Sequence, residues 1–262
     1  MPEKINLHSH TQYCDGQSSM EEIIRAASSA GFTEWGFSPH APICVESPCN
    51  MKEEDVQAYL AEIERLRSLY PQIKIWAGME VDYIDEENGP ASQNIKNYNL
   101  DYVIGSVHFI PDQKGTYHDI DGSSERFKRH LAEFFHNDLD YVVKTFWRQT
   151  ASMLKAGGLD IVGHIDKIAL NASSVNPEIE KNPYYKKLAE ETINLAIDQG
   201  IKIEINTKHW EKSGRMFPHP RYWSQIKAAC GELIINSDAH SVDMIETGME
   251  AAKNLLNMTD YA

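Results

Sequence analysis

Seven short runs of β-branched and aromatic residues, alternating with stretches of helical periodicity, limit the possible folds more than any other feature of this chain. The runs cover residues 4–7, 34–37, 73–81, 101–107, 160–163, 201–205 and 232–236. Runs of this kind are typical of buried strands, and amphipathic stretches between them favour βα units. The sequence therefore predicts an α/β protein with a parallel sheet. If that sheet closes into a barrel, the barrel has seven strands rather than eight.

Several helices are marked by their ends and by their periodicity. Ser19 followed by Glu22 is a capping-box pattern, and Gly31 stands where a glycine often ends a helix. Residues 52–70 carry apolar side chains close to every 3.6 positions, and Pro71 stops that helix. Further helices are predicted at 124–136, 139–156, 184–199, 222–229 and 242–256. The long connection from 108 to 160 is predicted to hold two of these helices and a polar loop at 112–124.

Composition excludes several classes of protein. The 262 residues include 25 Lys and Arg against 39 Asp and Glu, a net charge of −14, and this acidic balance argues against a nucleic-acid partner. No apolar run approaches the ~18 residues of a membrane helix, and residues 1–10 lack the apolar stretch of a secretory signal. Four cysteines without a CxxC pair favour free thiols and a cytoplasmic protein. No linker divides the chain, so we predict one domain over 1–262.

Potential metal ligands follow or occupy six of the seven predicted strands. They are His8, His10 and Asp15 at the first strand, His40 at the second, Glu80 in the third, His108 at the fourth, His164 at the fifth, and Asp238 and His240 at the seventh. The sixth strand carries Glu204 and Asn206, which we do not count as ligands. Because the carboxyl ends of parallel strands lie on one side of the sheet, these side chains are predicted to converge there.

The spacing and types of these residues indicate which ions they suit. His8 and His10 are separated by one residue, so in an extended backbone they face the same way, and Asp238 and His240 repeat the pattern. Imidazole with carboxylate suits zinc, iron or manganese better than calcium or magnesium. Nine candidates exceed what one ion needs, so we predict two to three divalent transition-metal ions, with Glu80 free to bridge.

A single histidine in a strand is more often a core residue than a ligand, so this prediction depends on the joint pattern. Leaving this many buried polar groups without partners would cost roughly 1–3 kcal/mol each. The remaining histidines fit no strand end and are predicted to lie at the surface: His118, His130, His136, His209 and His219.

Six segments together resemble the PHP (polymerase and histidinol phosphatase) superfamily. They are HSHTQYCDG at 8–16, SPH ending at His40, GMEVDY at 78–83, GSVH at 105–108, GHID at 163–166 and NSDAH at 236–240. The resemblance implies a distorted seven-stranded (β/α)7 TIM-like barrel and a trinuclear metal centre. It assigns His8, His10, Glu80 and Asp238 to the first ion, Glu80, His108 and His164 to the second, and Asp15, His40 and His240 to the third.

Within the superfamily the chain is similar to the monofunctional histidinol-phosphate phosphatases. The supporting features are its length, the GSVHF segment, the helical insertion after it, and EINTKHWEKSGR at 204–215. The similarity implies hydrolysis of L-histidinol phosphate to L-histidinol and phosphate in histidine biosynthesis. Arg215 and Lys167 are the candidate phosphate-binding cations, and Asp238 or His240 the candidate for proton transfer. Asp119, Asp121 and Glu211 are equal candidates for binding the substrate ammonium.

Other functions remain open at this point. A phosphoesterase of the same superfamily could act on a nucleotide or another small phosphate ester, or, on the same metal scaffold, on phosphotyrosine in proteins. The net charge disfavours long nucleic acids as substrates. A metal-binding regulatory barrel without enzymatic activity is the alternative from a different class. The sequence gives no indication of the oligomeric state.

Overall fold

A seven-stranded parallel sheet forms the centre of the computed structural model, which describes residues 3–258. Its strands are β1 (Ile5–Asn6), β2 (Glu34–Phe37), β3 (Lys74–Asp82), β4 (Tyr102–Ser106), β7 (Ile161–Val162), β8 (Lys202–Asn206) and β9 (Leu233–Asn236). They pair in that order, each parallel to the next. All seven predicted strands are therefore confirmed, and the sheet curls into a nearly closed barrel.

Side chains, rather than a regular ladder, close the seam between the first and the last strand. The Leu7 amide donates to Asn236 Oδ1 at 2.7 Å, and the Ser237 amide donates to Asn6 Oδ1 at 2.7 Å. Both asparagines are fully buried. Just beyond them, the His10 amide donates to the carbonyl of Ala239. The two asparagine amides thus satisfy backbone groups that a longer strand pair would satisfy itself.

Helices flank the barrel strands. They are α1 (Met20–Ser29), α2 (Val56–Leu69), α3 (Gln93–Asn97), α4 (Ser124–Phe134), α5 (Leu139–Ala156), α6 (Ile168–Val175), α7 (Pro183–Asp198), α8 (Trp210–Ser213), α9 (Trp223–Ala228) and α10 (Met249–Met258). The capping box of Ser19 and Glu22 is present at the start of α1. The helices predicted at 222–229 and 242–256 begin with 3-10 turns, and α3, α6 and α8 lack a sequence prediction. None of the helices within residues 3–258 is long and apolar enough to cross a membrane.

The long connection after β4 contains more regular structure than we predicted. The segment predicted as a polar loop contributes to an antiparallel hairpin, β5 (Phe109–Pro111) and β6 (Tyr117–Asp119), which precedes the two predicted helices. Gln149 of α5 ties the hairpin to the barrel by donating to the carbonyls of Tyr83 and Phe109. The hairpin thereby stands beside the carboxyl ends of the strands.

The ring of Tyr102 packs in the barrel near the amino-terminal ends of the strands, in a cluster with Ile104 and Ile161. Its hydroxyl donates to the carbonyl of Leu7 at 2.6 Å, across the barrel. Gly36 and Gly78 leave the space that the ring occupies, because a Cβ at either position would run into it. Large and small residues therefore interlock here, as close packing requires.

Replacing Gly78 with alanine tests this packing. We expect Gly78→Ala to reduce the free energy of unfolding by about 1–3 kcal/mol, since the added methyl overpacks the barrel. Urea titration followed by circular dichroism measures the change. In a Tyr102→Leu background the same substitution should cost clearly less, because the ring that it meets is gone. Equal costs in both backgrounds would contradict the packing argument.

Candidate metal centre

The carboxyl end of the barrel brings together all nine predicted ligands. Eight of them line a cavity of about 330 Å³: His10, Asp15, His40, Glu80, His108, His164, Asp238 and His240. His8 lies beneath them, fully buried, with its Nε2 3.3 Å from Glu80 Oε2. The nine residues come from six separate segments of the chain, each at or in a different strand, and the parallel strand topology places these segments side by side.

Among residues 3–258, the potential ligand atoms form three groups, and within each group the atoms lie no more than 4.8 Å apart. The groups are His8, His10 and Asp238; His40, Glu80 and His108; and His10, Asp15, His40 and His240. The first group contains three of the four ligands that the family resemblance assigns to the first ion. The third group contains all three ligands that it assigns to the third ion. The second group contains Glu80 and His108 as assigned, with His40 in place of His164.

Glu80 lies at the middle of the site. Its Oε2 is 3.1 Å from His40 Nδ1 and its Oε1 is 3.0 Å from His164 Nε2. Ser106 Oγ donates to Oε1 at 2.7 Å and orients the carboxylate. The two oxygens therefore face different imidazoles, so each of them could take part in a separate ion site.

Several buried ligand atoms have no hydrogen-bond partner, which is the observation that tests whether the residues fit metal ions. These atoms are His8 Nε2, His40 Nδ1, Glu80 Oε2 and Asp15 Oδ1. Leaving such groups unpaired costs about 1–3 kcal/mol each. A cation among these lone pairs removes that cost, and the mixture of imidazole and carboxylate is the donor set of zinc, iron or manganese.

The electrostatics of the cluster favour a bound cation. Burial lowers the pKa of His8, but the carboxylates of Glu204, Asp238 and Glu80 outweigh burial and raise it to about 10. Burial likewise opposes ionisation of Glu80, yet the surrounding imidazoles hold its pKa well below the usual range. The carboxylates therefore stay charged at neutral pH and create a negative potential that metal ions can neutralise.

Two ligands stand on strained backbone. His164 has φ 21° and Asp238 has φ 50°, which is the left-handed region that side-chain-bearing residues avoid. Such strain costs of order 1–3 kcal/mol and persists only where the surroundings impose it. In both cases the turn directs a side chain from the end of its strand into the cavity.

The cations that face the cavity are not all those predicted. Lys167 lines it and forms an ion pair with Asp121 at 3.1 Å. The structure does not bring Arg215 to the cavity. Its Nη1 is 2.8 Å from Glu180 Oε1, and its side chain lines a separate cleft. The carboxylate of Glu180, between α6 and α7, draws this guanidinium away from the site.

Sequence reasoning missed other residues of the cavity. Lys208 lies over the ligands, with Nζ 3.4 Å from Asp238 Oδ1 and 3.1 Å from His240 Nε2. Its position two residues after β8 was a usable signal, because every strand end points into this cavity. His209, which we predicted at the surface, also lines the cavity, together with Arg126 and Lys212.

The remaining candidates are distributed between cavity and solvent. Asp119 and Asp121 line the cavity, whereas Glu211 is exposed and does not. His136 is exposed, as predicted, and His118, His130 and His219 are partly buried outside the cavity. The four cysteines are free thiols.

Comparison with known families decides the relationship. The family model described as PHP domain matches residues 6–208. The chain belongs to this family. Seven of the nine predicted ligands lie within the match, whereas Asp238 and His240 lie beyond it and are brought to the cavity by the barrel geometry. The resemblance inferred from the six motifs is confirmed.

Named relatives and solved structures agree with this assignment. A protein of Schizosaccharomyces pombe named "Probable histidinol-phosphatase" is 28% identical over 268 residues, covering 97% of this chain and 86% of the relative. A structure from Listeria monocytogenes that carries the name HisK has a TM-score of 0.84 at 19% identity, covering 95% of this chain and 99% of that one.

A second solved structure contains ligands. It is a histidinol phosphate phosphatase (HISK) from Lactococcus lactis, complexed with zinc, L-histidinol and phosphate. It has a TM-score of 0.72 at 17% identity and covers 98% of this chain and 94% of that one. At these identities the two structures establish the barrel fold of the present chain.

Metal content tests the centre directly. Protein purified without chelator should contain at least one transition-metal ion per chain by elemental analysis. Removing the metal should lower the melting temperature, and adding Zn²⁺ or Mn²⁺ should restore it. At a metal concentration a hundredfold above Kd, binding adds about 2.7 kcal/mol to the free energy of unfolding. Ca²⁺ is the control and should not restore it, because imidazole ligands disfavour calcium. A melting temperature indifferent to chelator and metal would contradict the proposal of a metal site.

Proposed function

We propose that this protein is a metal-dependent phosphomonoesterase that hydrolyses L-histidinol phosphate to L-histidinol and phosphate in histidine biosynthesis. The observation that carries the proposal is the set of buried imidazoles and carboxylates around Glu80, at the floor of a cavity rimmed by lysines. The names of the relatives support the choice of substrate. We further propose that residues 1–262 form one such domain and that it works in the cytoplasm.

The proposed cofactor is two to three divalent transition-metal ions, with zinc, iron and manganese as the candidates. His8, His10 and Asp238 would hold one ion, His108 and His164 a second, and Asp15, His40 and His240 a third, with Glu80 between them. Such ions lower the pKa of water and neutralise charge on a phosphoryl group. This is the chemistry that hydrolysis of a phosphomonoester requires.

Lys208 and Lys167 are placed to bind the phosphoryl oxygens. Both face the cavity, and Lys167 is buried with only 7% of its side chain exposed, so its charge acts in a low dielectric. Lys208 Nζ lies 3.4 Å from Asp238 Oδ1, and Lys167 Nζ lies 3.1 Å from Asp121 Oδ2. A phosphate entering the cavity would meet these two ammonium groups beside the ligands.

Asp238 and His240 are our candidates for proton transfer, and the groups around them favour the unprotonated form of both. Burial opposes ionisation of Asp238, but Lys208 and His8 hold its pKa well below the usual range. Burial and the neighbouring His10 lower the pKa of His240 to about 4. Either group must therefore first accept a proton from the attacking water before it can deliver one to the departing alkoxide oxygen.

The hairpin edge of the cavity offers carboxylates for the rest of the substrate. Asp119 pairs with Arg126 at 2.9 Å, and Asp121 pairs with Lys167. Asp119 ends β6 and Asp121 follows two residues later, and both line the cavity. We propose that this acidic edge binds the primary ammonium of L-histidinol phosphate, and that neither nucleic acids nor membranes are partners.

A panel of phosphomonoesters tests the substrate. With the metal-loaded enzyme, kcat/KM for L-histidinol phosphate should exceed that for p-nitrophenyl phosphate, a nucleoside monophosphate and phosphotyrosine by at least about tenfold, or ~1.4 kcal/mol. p-Nitrophenyl phosphate is the informative control, because it carries a phosphoryl group and a better leaving group but no ammonium, so a preference for L-histidinol phosphate over it reports contacts with the rest of the substrate. A preference for the nucleotide would favour the alternative of a nucleotide phosphoesterase, and inactivity on every ester would favour a non-enzymatic metal-binding barrel.

Two matched cation variants test the phosphate contacts. Lys208→Met should reduce kcat/KM for L-histidinol phosphate by about 10²-fold or more, since it removes a charge-assisted contact to the phosphoryl group. Arg215→Met tests the original sequence prediction. From its contact with Glu180 we expect that variant to lower the melting temperature and to change kcat/KM much less. The opposite ranking of the two variants would return the phosphate-binding role to Arg215.

A further inference from the structure

Glu204 of β8 is a fully buried carboxylate that no part of the proposed reaction uses. Its Oε1 accepts hydrogen bonds from His8 Nδ1 at 2.6 Å and from Asn236 Nδ2 at 3.0 Å. Its Oε2 accepts from the backbone amide of His164 at 2.8 Å and from Asn206 Nδ2 at 3.1 Å. Each oxygen therefore has two donors, and the carboxylate has no lone pair left for an ion.

The contact with His8 determines which nitrogen of that ring is available. An ionised carboxylate only accepts hydrogen bonds, so His8 Nδ1 must carry a proton and donate. The opposite nitrogen, Nε2, faces Glu80 and Asp238 and has no hydrogen-bond partner. Glu204 thus fixes the orientation of the ring and, in the neutral imidazole that would bind an ion, the tautomer whose Nε2 is free.

The contact with His164 fixes a second ligand through the backbone. His164 has φ 21°, and such a conformation needs support from its surroundings. The backbone amide of His164 donates its hydrogen bond to Glu204 Oε2. One side chain therefore holds the ring of a ligand after β1 and the turn that carries a ligand after β7.

We propose that Glu204 is a positioning residue of the metal centre, which holds His8 with Nε2 directed at the ion and His164 in its strained turn. The inference rests on the proposed metal centre. It assigns a role to the one barrel strand that contributes no ligand, β8. Replacing a carboxylate that orients a ligating histidine typically lowers metal affinity by about 10–100-fold.

Asp82 provides a matched comparison within the same site. Its Oδ1 accepts from both the amide and the Nδ1 of His108, at 2.8 and 3.0 Å, while its Oδ2 has no partner. In Asp82→Asn the amide nitrogen can occupy the Oδ2 position and leave both hydrogen bonds intact. In Glu204→Gln the amide nitrogen must face two donors whichever way it is turned.

The test measures the affinity of the full-length protein for Zn²⁺ by competition with a chromogenic chelator. We expect Glu204→Gln to weaken binding of the tightest ion by about 10–100-fold and Asp82→Asn to weaken it less. In a His8→Ala background the effect of Glu204→Gln should shrink, because the ring on which it acts is absent. Circular dichroism of each variant reports whether the fold is retained.

Nitrogen chemical shifts of the histidines in the zinc-loaded wild-type protein give a readout that needs no Glu204 variant. His8, assigned with the His8→Ala variant, should show a protonated Nδ1 and a metal-bound Nε2. A metal-bound Nδ1, or equal Zn²⁺ affinity of wild type and folded Glu204→Gln, would overturn the inference and leave the metal centre standing. Failure of the wild type to bind Zn²⁺ would instead overturn the proposed function, and the inference with it.

Discussion

Several carboxylates, Glu80, Glu204 and Asp238 among them, are buried at one end of the barrel, and the arrangement of the site follows from the need to compensate their charge. Glu80, Glu204 and Asp238 are at most 2% exposed. A buried charge without a partner costs several kcal/mol, whereas hydrogen bonds and opposite charges offset that cost. Glu204 is compensated entirely by donors of the protein. Glu80, in contrast, retains one oxygen without a hydrogen-bond partner. Glu204 is therefore suited to position ligands, whereas Glu80 is suited to be a ligand itself.

The closure of the barrel and the assembly of the site depend on the same residues. β1 has only two residues and forms no ladder with β9, so Asn6 and Asn236 bridge the seam. Asn236 also donates to Glu204, which in turn accepts from His8 at the other side of the seam. The hydrogen bonds that close the barrel therefore also hold the ligands of its first and last strands at a fixed separation.

Charge is distributed unevenly between the surface and the cavity. The chain carries a net charge of −14, yet Lys167, Lys208, Lys212 and Arg126 all face the proposed site. With metal ions bound, the cavity would be a positive region within an acidic protein, which suits a small anionic ester and gives a long polyanion little to bind outside the cavity. The hairpin β5–β6 adds carboxylates on one edge, so the cavity has a polarity that matches a substrate with phosphate at one end and ammonium at the other.

The sequence by itself determined the seven strands and the convergence of nine ligands, because apolar runs identify parallel strands and parallel strands align their carboxyl ends. It did not determine the hairpin β5–β6, whose strands have only three residues each, or the direction of side chains in loops. Arg215 turns to Glu180 and Lys208 turns to Asp238 although only seven positions separate them. Likewise, only the four hydrogen-bond donors around Glu204 distinguish it from the carboxylates that are predicted to bind metal. Such choices depend on which groups from distant segments come within hydrogen-bonding distance, and only the tertiary structure decides that.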